Sequence, residues 1–191
     1  MKFGITPRFE YSQNNSIKYS FENDLVEALL DSFSKSEVQF LYPRTSVNIN
    51  DLDFIVLSGG STPGEDAHRD LFEIGIIELC KSSMTPMLGI CRGAQLLAIN
   101  SGATLKPVNG HVNAKRKLIG HKSLGRCYHN FSIQNLSKDW KILSKDEIDN
   151  SPEVFVNIHN KSIGIMSHPE REICAVANMK SLFEIFDKWP L

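Results

Sequence analysis

Pro86-Met87-Leu88-Gly89-Ile90-Cys91-Arg92-Gly93-Ala94-Gln95 is the stretch from which the fold can be read. Met87–Ile90 follow a proline and carry no polar side chain, as a fully buried strand does. Arg92–Asn100 has helical character and is stopped by Gly102. Cys91 is left in the turn between them, with a glycine two residues away on each side. That is the G-x-nucleophile-x-G spacing of an elbow, where strand and helix approach too closely for side chains at the flanking positions. A buried strand that feeds directly into a helix is a unit of a parallel α/β sheet. A cysteine at a helix N-terminus faces backbone N–H dipoles that favour its thiolate, so a pKa of roughly 3.5–7.5 is expected. The N–H of Arg92 is aimed where an oxyanion would form.

The same alternation runs outward from the elbow. Lys2–Thr6 and Glu37–Tyr42 read as strands closed by Pro7 and Pro43, and Asp53–Leu57 as a short buried strand opening into Ser58-Gly59-Gly60. Ser20 is expected to cap a helix from Phe21 to about Phe33, and Asp66–Lys81 reads as a second helix. Beyond Ala103 the pattern changes to short strands: Lys117–Ile119, Cys127–Ile133, Val154–Ile158 and Ile163–Met166. A last helix is expected over Asn178–Asp187. Lys115–Arg126 reads as a loop. No repeat or linker divides the chain, so residues 1–191 are expected to form one domain.

A nucleophilic cysteine needs a base, and the base needs an orienting group. Ile163-Gly164-Ile165-Met166-Ser167-His168-Pro169-Glu170 offers both, since an apolar strand ends at His168 and Glu170 follows two residues later. Sites in open α/β sheets form beyond the carboxyl ends of strands, where Cys91 and His168 both fall. The Gly59-Gly60 turn can bring a second backbone N–H inward with no side chain in the way. Cys80, Cys127 and Cys174 lack the elbow setting and read as packing residues.

Composition bounds the rest. The 191 residues are 41% hydrophobic and 23% charged, ordinary for a folded chain with a sizeable core. No apolar run approaches the ~18 residues of a membrane span, and Pro7 interrupts any signal-peptide core. Four cysteines without a CxxC pair suit reduced thiols, so a cytoplasmic location is expected. The histidines and cysteines show no zinc-ligand spacing, and neither metal nor organic cofactor is expected. Net charge is −1, yet between Glu78 and Asp139 there is no acidic residue. That stretch holds nine basic ones, among them Arg92, Arg116, Lys117, Lys122 and Arg126, with His111, His121 and His129. Such a run is expected to create a positive field that attracts anions. No aromatic-interleaved motif accompanies it, so nucleic acid is not an expected partner.

Three blocks, Leu57–Gly60 (LSGG), Gly89–Ala98 (GICRGAQLLA) and Ser167–Glu170 (SHPE), resemble the class I glutamine amidotransferase family, with matching order and separation. The γ-glutamyl hydrolase branch is the most similar, on Cys91-Arg92, Arg69-Asp70, Gly110-His111-Val112 and Tyr128-His129-Asn130. Met166 and Arg171 depart from the usual residues around the His-Pro-Glu block. The resemblance implies a flavodoxin-like three-layer α/β sandwich with a mostly parallel central sheet and a few added antiparallel strands. It implies a Cys91–His168–Glu170 triad, an oxyanion hole from the N–H groups of Gly60 and Arg92, and a γ-glutamyl pocket involving Gly59 and Gln95, bordered by Tyr128 and His129. The expected reaction is hydrolysis of a γ-glutamyl amide through a thioester. With the basic run, and Arg8 as a further anion contact, the expected substrate is small and anionic, similar to that of the γ-glutamyl-CDP-amidate hydrolases. Two other readings stay open: a glutaminase subunit serving a synthase partner, or a non-enzymatic cysteine sensor. A synthase or a second copy of the chain is the macromolecular partner to be considered.

Overall fold

The computed structural model describes residues 1–14, 16–45, 48–119, 124–172 and 175–187. His121, Lys122 and Cys174, weighed above, lie outside them. In chain order the elements are β1 (Lys2–Ile5), β2 (Arg8–Tyr11), β3 (Ile17–Ser20), α1 (Asn23–Ser32), β4 (Glu37–Phe40), β5 (Phe54–Leu57), α2 (Ala67–Ser83), β6 (Met87–Ile90), α3 (Arg92–Ile99), β7 (Thr104–Pro107), β8 (Val112–Ile119), β9 (Leu124–Tyr128), β10 (Phe131–Gln134), β11 (Trp140–Asp146), β12 (Pro152–Asn157), β13 (Ser162–Ile165) and α4 (Ala175–Asp187). A nine-stranded sheet runs β4-β1-β5-β6-β13-β12-β11-β8-β9. Pairings from β4 to β13 are parallel and the remainder antiparallel. The expected α/β architecture is therefore present, and the strands at the centre of its parallel half, β5, β6 and β13, are buried along their whole length, whereas the edge strand β4 is largely exposed.

Helices cover both faces. One apolar cluster joins Phe3, Val56, Leu88 and Ile165 to Leu25 and Leu29 of α1 and to Leu182 and Phe183 of α4. The other joins Leu57, Met87 and Phe155 to Ile77 of α2 and to Ala94 and Leu97 of α3. Crossovers between parallel strands put helices on the two faces, and burying both faces forces the strands to be apolar throughout.

The elbow takes the form its glycines imply. Cys91 has φ 50° and ψ −103°, a left-handed conformation that side-chain-bearing residues avoid. A Cβ on Gly89 would stand 2.5 Å from the carbonyl carbon of Gly93, and one on Gly93 would stand 2.1 Å from the carbonyl oxygen of Leu57. Helix α3 thus lies directly against β5 and β6 because both contact points lack side chains.

Several expectations are corrected. Helix α1 begins at Asn23, with Glu22 rather than Ser20 at its cap and no side-chain capping bond. Ser20 closes β3, because Arg8–Ser20 folds back as a hairpin instead of leading into the helix. Lys115–Arg126 is not a loop: its described residues belong to the paired strands β8 and β9. Cys127–Ile133 divides into β9 and β10 when the chain turns to pair with β7. Strand β11 escapes sequence reading because register shifts between Ile142 and Lys145 break its alternation. Among the described residues no helix is long and apolar enough to cross a membrane.

Gly93→Ala drives a methyl group into the β5 backbone, where no rotamer can relieve the contact. The expected outcome is a loss of about 3 kcal/mol or more, read as a fall in the urea midpoint at unchanged slope.

Candidate active site

The carboxyl ends of β1, β5, β6 and β13 meet at one pocket of about 290 Å³, lined by Arg8, Phe9, Glu10, Gly60, Ser61, Arg69, Cys91, Tyr128, His168 and Arg171. Cys91 is contributed by the turn after β6 and His168 by the segment after β13. A larger groove of about 830 Å³, between Phe9, Tyr19, Tyr42 and Phe72, contains neither of them.

His168 is 3% exposed and its Nδ1 lies 2.6 Å from Glu170 Oε1. With the ring proton on Nδ1 donated to that carboxylate, Nε2 keeps its lone pair. The Nε2 edge lies beside Gly59, whose Cβ would stand 2.9 Å from His168 Cε1. Gly59 thus makes room for the imidazole; it does not line the pocket. The Tyr128 ring meets His168 edge-on at 5.4 Å, and the Arg171 guanidinium sits 4.9 Å from the Tyr128 ring centre.

Cys91 is 4% exposed. Burial pushes its thiol up to about 12; the Arg92 N–H, which donates to the sulfur, pulls the other way, and the Glu170 charge adds to the upward push. This corrects the expectation of a resting thiolate. The helix N-terminus offers its donor, but desolvation of the charged form outweighs it.

Two of the basic residues near the elbow, Arg69 and Arg92, turn inward for a reason that spacing along the chain does not disclose. Arg92 and Arg69 are 0% and 1% exposed. Arg92 pairs with Glu73 and Asp70. Arg69 Nε donates to Glu73 Oε1 at 3.1 Å, and its Nη2 donates to the carbonyls of Ser58 and Gly59 and to Ser58 Oγ at 3.0–3.1 Å. Thr6 Oγ1 donates to the same Glu73 oxygen at 2.7 Å. Gly60, at φ +147°, turns over this cluster: a Cβ there would lie 2.3 Å from Arg69 Nη1. The cluster therefore sets the position of the Gly59-Gly60 turn relative to the elbow.

The acid-free stretch is not a bare positive face. Arg92 has its carboxylates, Arg116 pairs with Asp146 at 2.7 Å, Lys117 with Glu147 at 3.0 Å and Arg126 with Glu172 at 3.5 Å. Acidic residues remote in sequence return to neutralise it. Positive charge at the pocket comes instead from Arg8 and Arg171, which share Glu22 at 2.7 and 3.4 Å.

Besides Gly59, two expected pocket residues lie outside the lining. Gln95 is one helical turn beyond Cys91, is 3% exposed, and donates from Nε2 to the Phe131 carbonyl at 2.9 Å. His129 faces away from the pocket, toward His111, with ring centres 4.8 Å apart. Glu10 and Arg171 line the pocket and were not anticipated there. The β2–β3 hairpin that brings Glu10 in has no strong apolar alternation to reveal it.

A family model described as Glutamine amidotransferase class-I matches residues 16–188. Gamma-glutamyl-CDP-amidate hydrolase of Campylobacter jejuni subsp. jejuni serotype O:2 is 31% identical over 159 residues, covering 80% of this chain and 76% of that one. The glutamine-hydrolyzing GMP synthase of Campylobacter jejuni subsp. doylei is 32% identical over 134 residues, 61% of this chain but only 24% of that protein. A glutamine amidotransferase from Thermotoga maritima has the same fold, with TM-score 0.70 over 96% of this chain and 82% of that one at 15% identity.

Two measurements probe this geometry. Glu73→Gln leaves two buried guanidinium groups short of a carboxylate and is expected to cost about 3–5 kcal/mol, measured by chemical denaturation. In the free protein, alkylation of Cys91 by iodoacetamide should be slow at neutral pH. It should rise about tenfold per pH unit while the thiol remains mostly protonated. A plateau below pH 8 would show a resting thiolate and contradict the buried thiol.

Proposed function

Starting from the fact that this chain belongs to the glutamine amidotransferase class-I family, we propose that it is a cysteine hydrolase cleaving the amide bond of a small γ-glutamyl compound. The observation that carries the reading is the joint presence, in one pocket, of Cys91 on a strained elbow and of His168 held by Glu170. In this mechanism His168 Nε2 takes the Cys91 proton as substrate enters, which a thiol held far from its ionised form requires. The sulfur attacks the γ-carbonyl. The N–H groups of Gly60 and Arg92 stabilise the tetrahedral oxyanion, a contribution of ~2.7–4 kcal/mol for one such donor. His168 returns the proton to the departing nitrogen. It then activates water, which cleaves the γ-glutamyl thioester and restores the thiol. Glu170 keeps the imidazole in the tautomer that can do both.

For the substrate, the favoured reading is an anionic γ-glutamyl amide such as γ-glutamyl-CDP-amidate. Its support is the likeness to the Campylobacter hydrolase and the two guanidinium groups at the pocket, Arg8 and Arg171, which share one carboxylate, Glu22, while Arg69 in the lining is committed to Glu73. Guanidinium groups bind phosphate oxygens in two-pronged geometry. Gln95, held behind the elbow by Phe131, acts in this reading by supporting the pocket wall. The likeness to a GMP synthase supports a second reading, a glutaminase delivering ammonia to a synthase. Family membership favours either enzyme over a cysteine sensor. Residues 1–191 acting as one cytoplasmic domain is part of the same proposal.

The purified protein alone should hydrolyse γ-glutamyl-CDP-amidate far faster than glutamine. Arg171→Ala should raise KM for it by about tenfold, the loss of roughly one charge-assisted contact, while leaving a cationic γ-glutamyl-polyamine little changed. Preference for the polyamine conjugate would overturn the anionic assignment. Silence with every γ-glutamyl compound until a synthase is added would favour the second reading.

A further inference from the structure

Tyr128 lines the pocket, and its two neighbours in the chain point the other way. Successive residues of a strand face opposite sides, and Cys127 and His129 are accordingly turned inward, 0% and 4% exposed. There they meet His111, just ahead of β8, and Glu153 of β12, both fully buried. One ligand atom from each of these four residues lies within 4.8 Å of all the others. His111 Nδ1 and His129 Nε2 each stand 3.6 Å from Glu153 Oε1, and the Cys127 thiol donates to Glu153 Oε2 at 3.8 Å.

His111 Nδ1, His129 Nε2 and Glu153 Oε1 are buried without a hydrogen-bond partner. Burying unpaired polar atoms is costly, and three of them facing one point require an explanation. The opposite nitrogen of each ring is anchored: His111 Nε2 lies 2.8 Å from Asp149 Oδ2, and His129 Nδ1 lies 3.1 Å from the Phe131 carbonyl. Arg116 Nη2 also approaches His111 Nε2 at 3.2 Å, but that guanidinium is gripped by both oxygens of Asp146. A ring that donates its proton outward presents a bare lone pair inward, which is how carboxylates and carbonyls orient metal-binding histidines.

We infer that His111, Cys127, His129 and Glu153 form a binding site for a divalent transition-metal ion of the zinc type. Ligand atoms at zinc bond lengths in a tetrahedron stand about 3.3–3.7 Å apart; both imidazole nitrogens are at 3.6 Å from Glu153 Oε1, and the four atoms, all within 4.8 Å, need only draw together around the ion. A thiolate with two imidazoles selects zinc-like ions over magnesium or calcium. On binding, the Cys127 thiol releases its proton to solvent; thiolate and carboxylate together cancel the dication, so the buried site is neutral. Four protein ligands make a closed, structural site. It would clamp β9 to β12 and so hold Tyr128 beside His168, whose backbone N–H donates to the Arg126 carbonyl at 2.9 Å. The site stands apart from the catalytic reading above, and either can fail without the other.

The test uses the full chain. Protein stripped with chelator is titrated with zinc against a chromophoric chelator, and separately loaded with cobalt for absorption spectroscopy. One zinc per chain is expected, with a thiolate-to-cobalt charge-transfer band that vanishes in Cys127→Ser and persists in Cys91→Ser. Asp149→Asn, which alters the outward partner of His111 and keeps a side-chain oxygen for the Ser151 N–H, should weaken zinc by about tenfold or more. Failure of the stripped, unmutated protein to take up zinc at micromolar free metal would overturn the site, whether or not any variant folds. A cobalt band lost in Cys91→Ser and kept in Cys127→Ser would overturn it too, by assigning the metal to the catalytic thiol.

Discussion

Two guanidinium groups and two carboxylates, Arg69, Arg92, Glu73 and Asp70, meet beneath the site, the first three almost wholly shielded from water. Removing such charges from water costs more than a simple ion pair returns, unless every donor finds an acceptor. Here Arg69 Nη2 finds the Ser58 and Gly59 carbonyls and Thr6 adds a hydroxyl to Glu73, while Arg92 Nε is the buried donor left without an acceptor among the described residues. The cluster therefore joins the ends of β1 and β5 to α2 and α3. It holds the Gly59-Gly60 turn at a fixed height above the elbow, as the proposed oxyanion role of the Gly60 N–H requires, because such a donor acts only if its separation from the attacking sulfur does not drift.

The same arrangement changes the meaning of charge in this protein. A run of sixty residues without an acid looks like an anion-binding face when read along the chain. In space, Asp70, Glu73, Asp146, Glu147 and Glu172 come back to meet it. Much of the positive charge is structural. The guanidiniums left at the pocket mouth, Arg8 and Arg171, come from either end of the chain and lie outside that run.

Strand β9 connects the pocket with the buried cluster behind it. Because side chains alternate, Tyr128 serves the pocket while Cys127 and His129 serve the interior. A change in how the interior pair is held would be felt one residue away, at the ring beside His168.

The sequence by itself determined the elbow, the parallel strands and the segments that carry Cys91, His168 and Glu170. Each is a local requirement: two glycines where helix meets strand, an unbroken apolar run where a strand is buried on both faces, a carboxylate two residues from the ring it holds. Periodicity could not reveal the β2–β3 hairpin or the bulged β11, since short half-exposed strands and register shifts erase the alternation. Only the tertiary structure decided which charges survive at the pocket, that burial pushes the Cys91 thiol upward against the pull of the helix N-terminus, and that His129 belongs to an interior cluster. Those properties depend on distance through space and on exclusion of water. Neither is a function of spacing along the chain, because the groups that neutralise, desolvate or orient each residue arrive from strands far away in sequence.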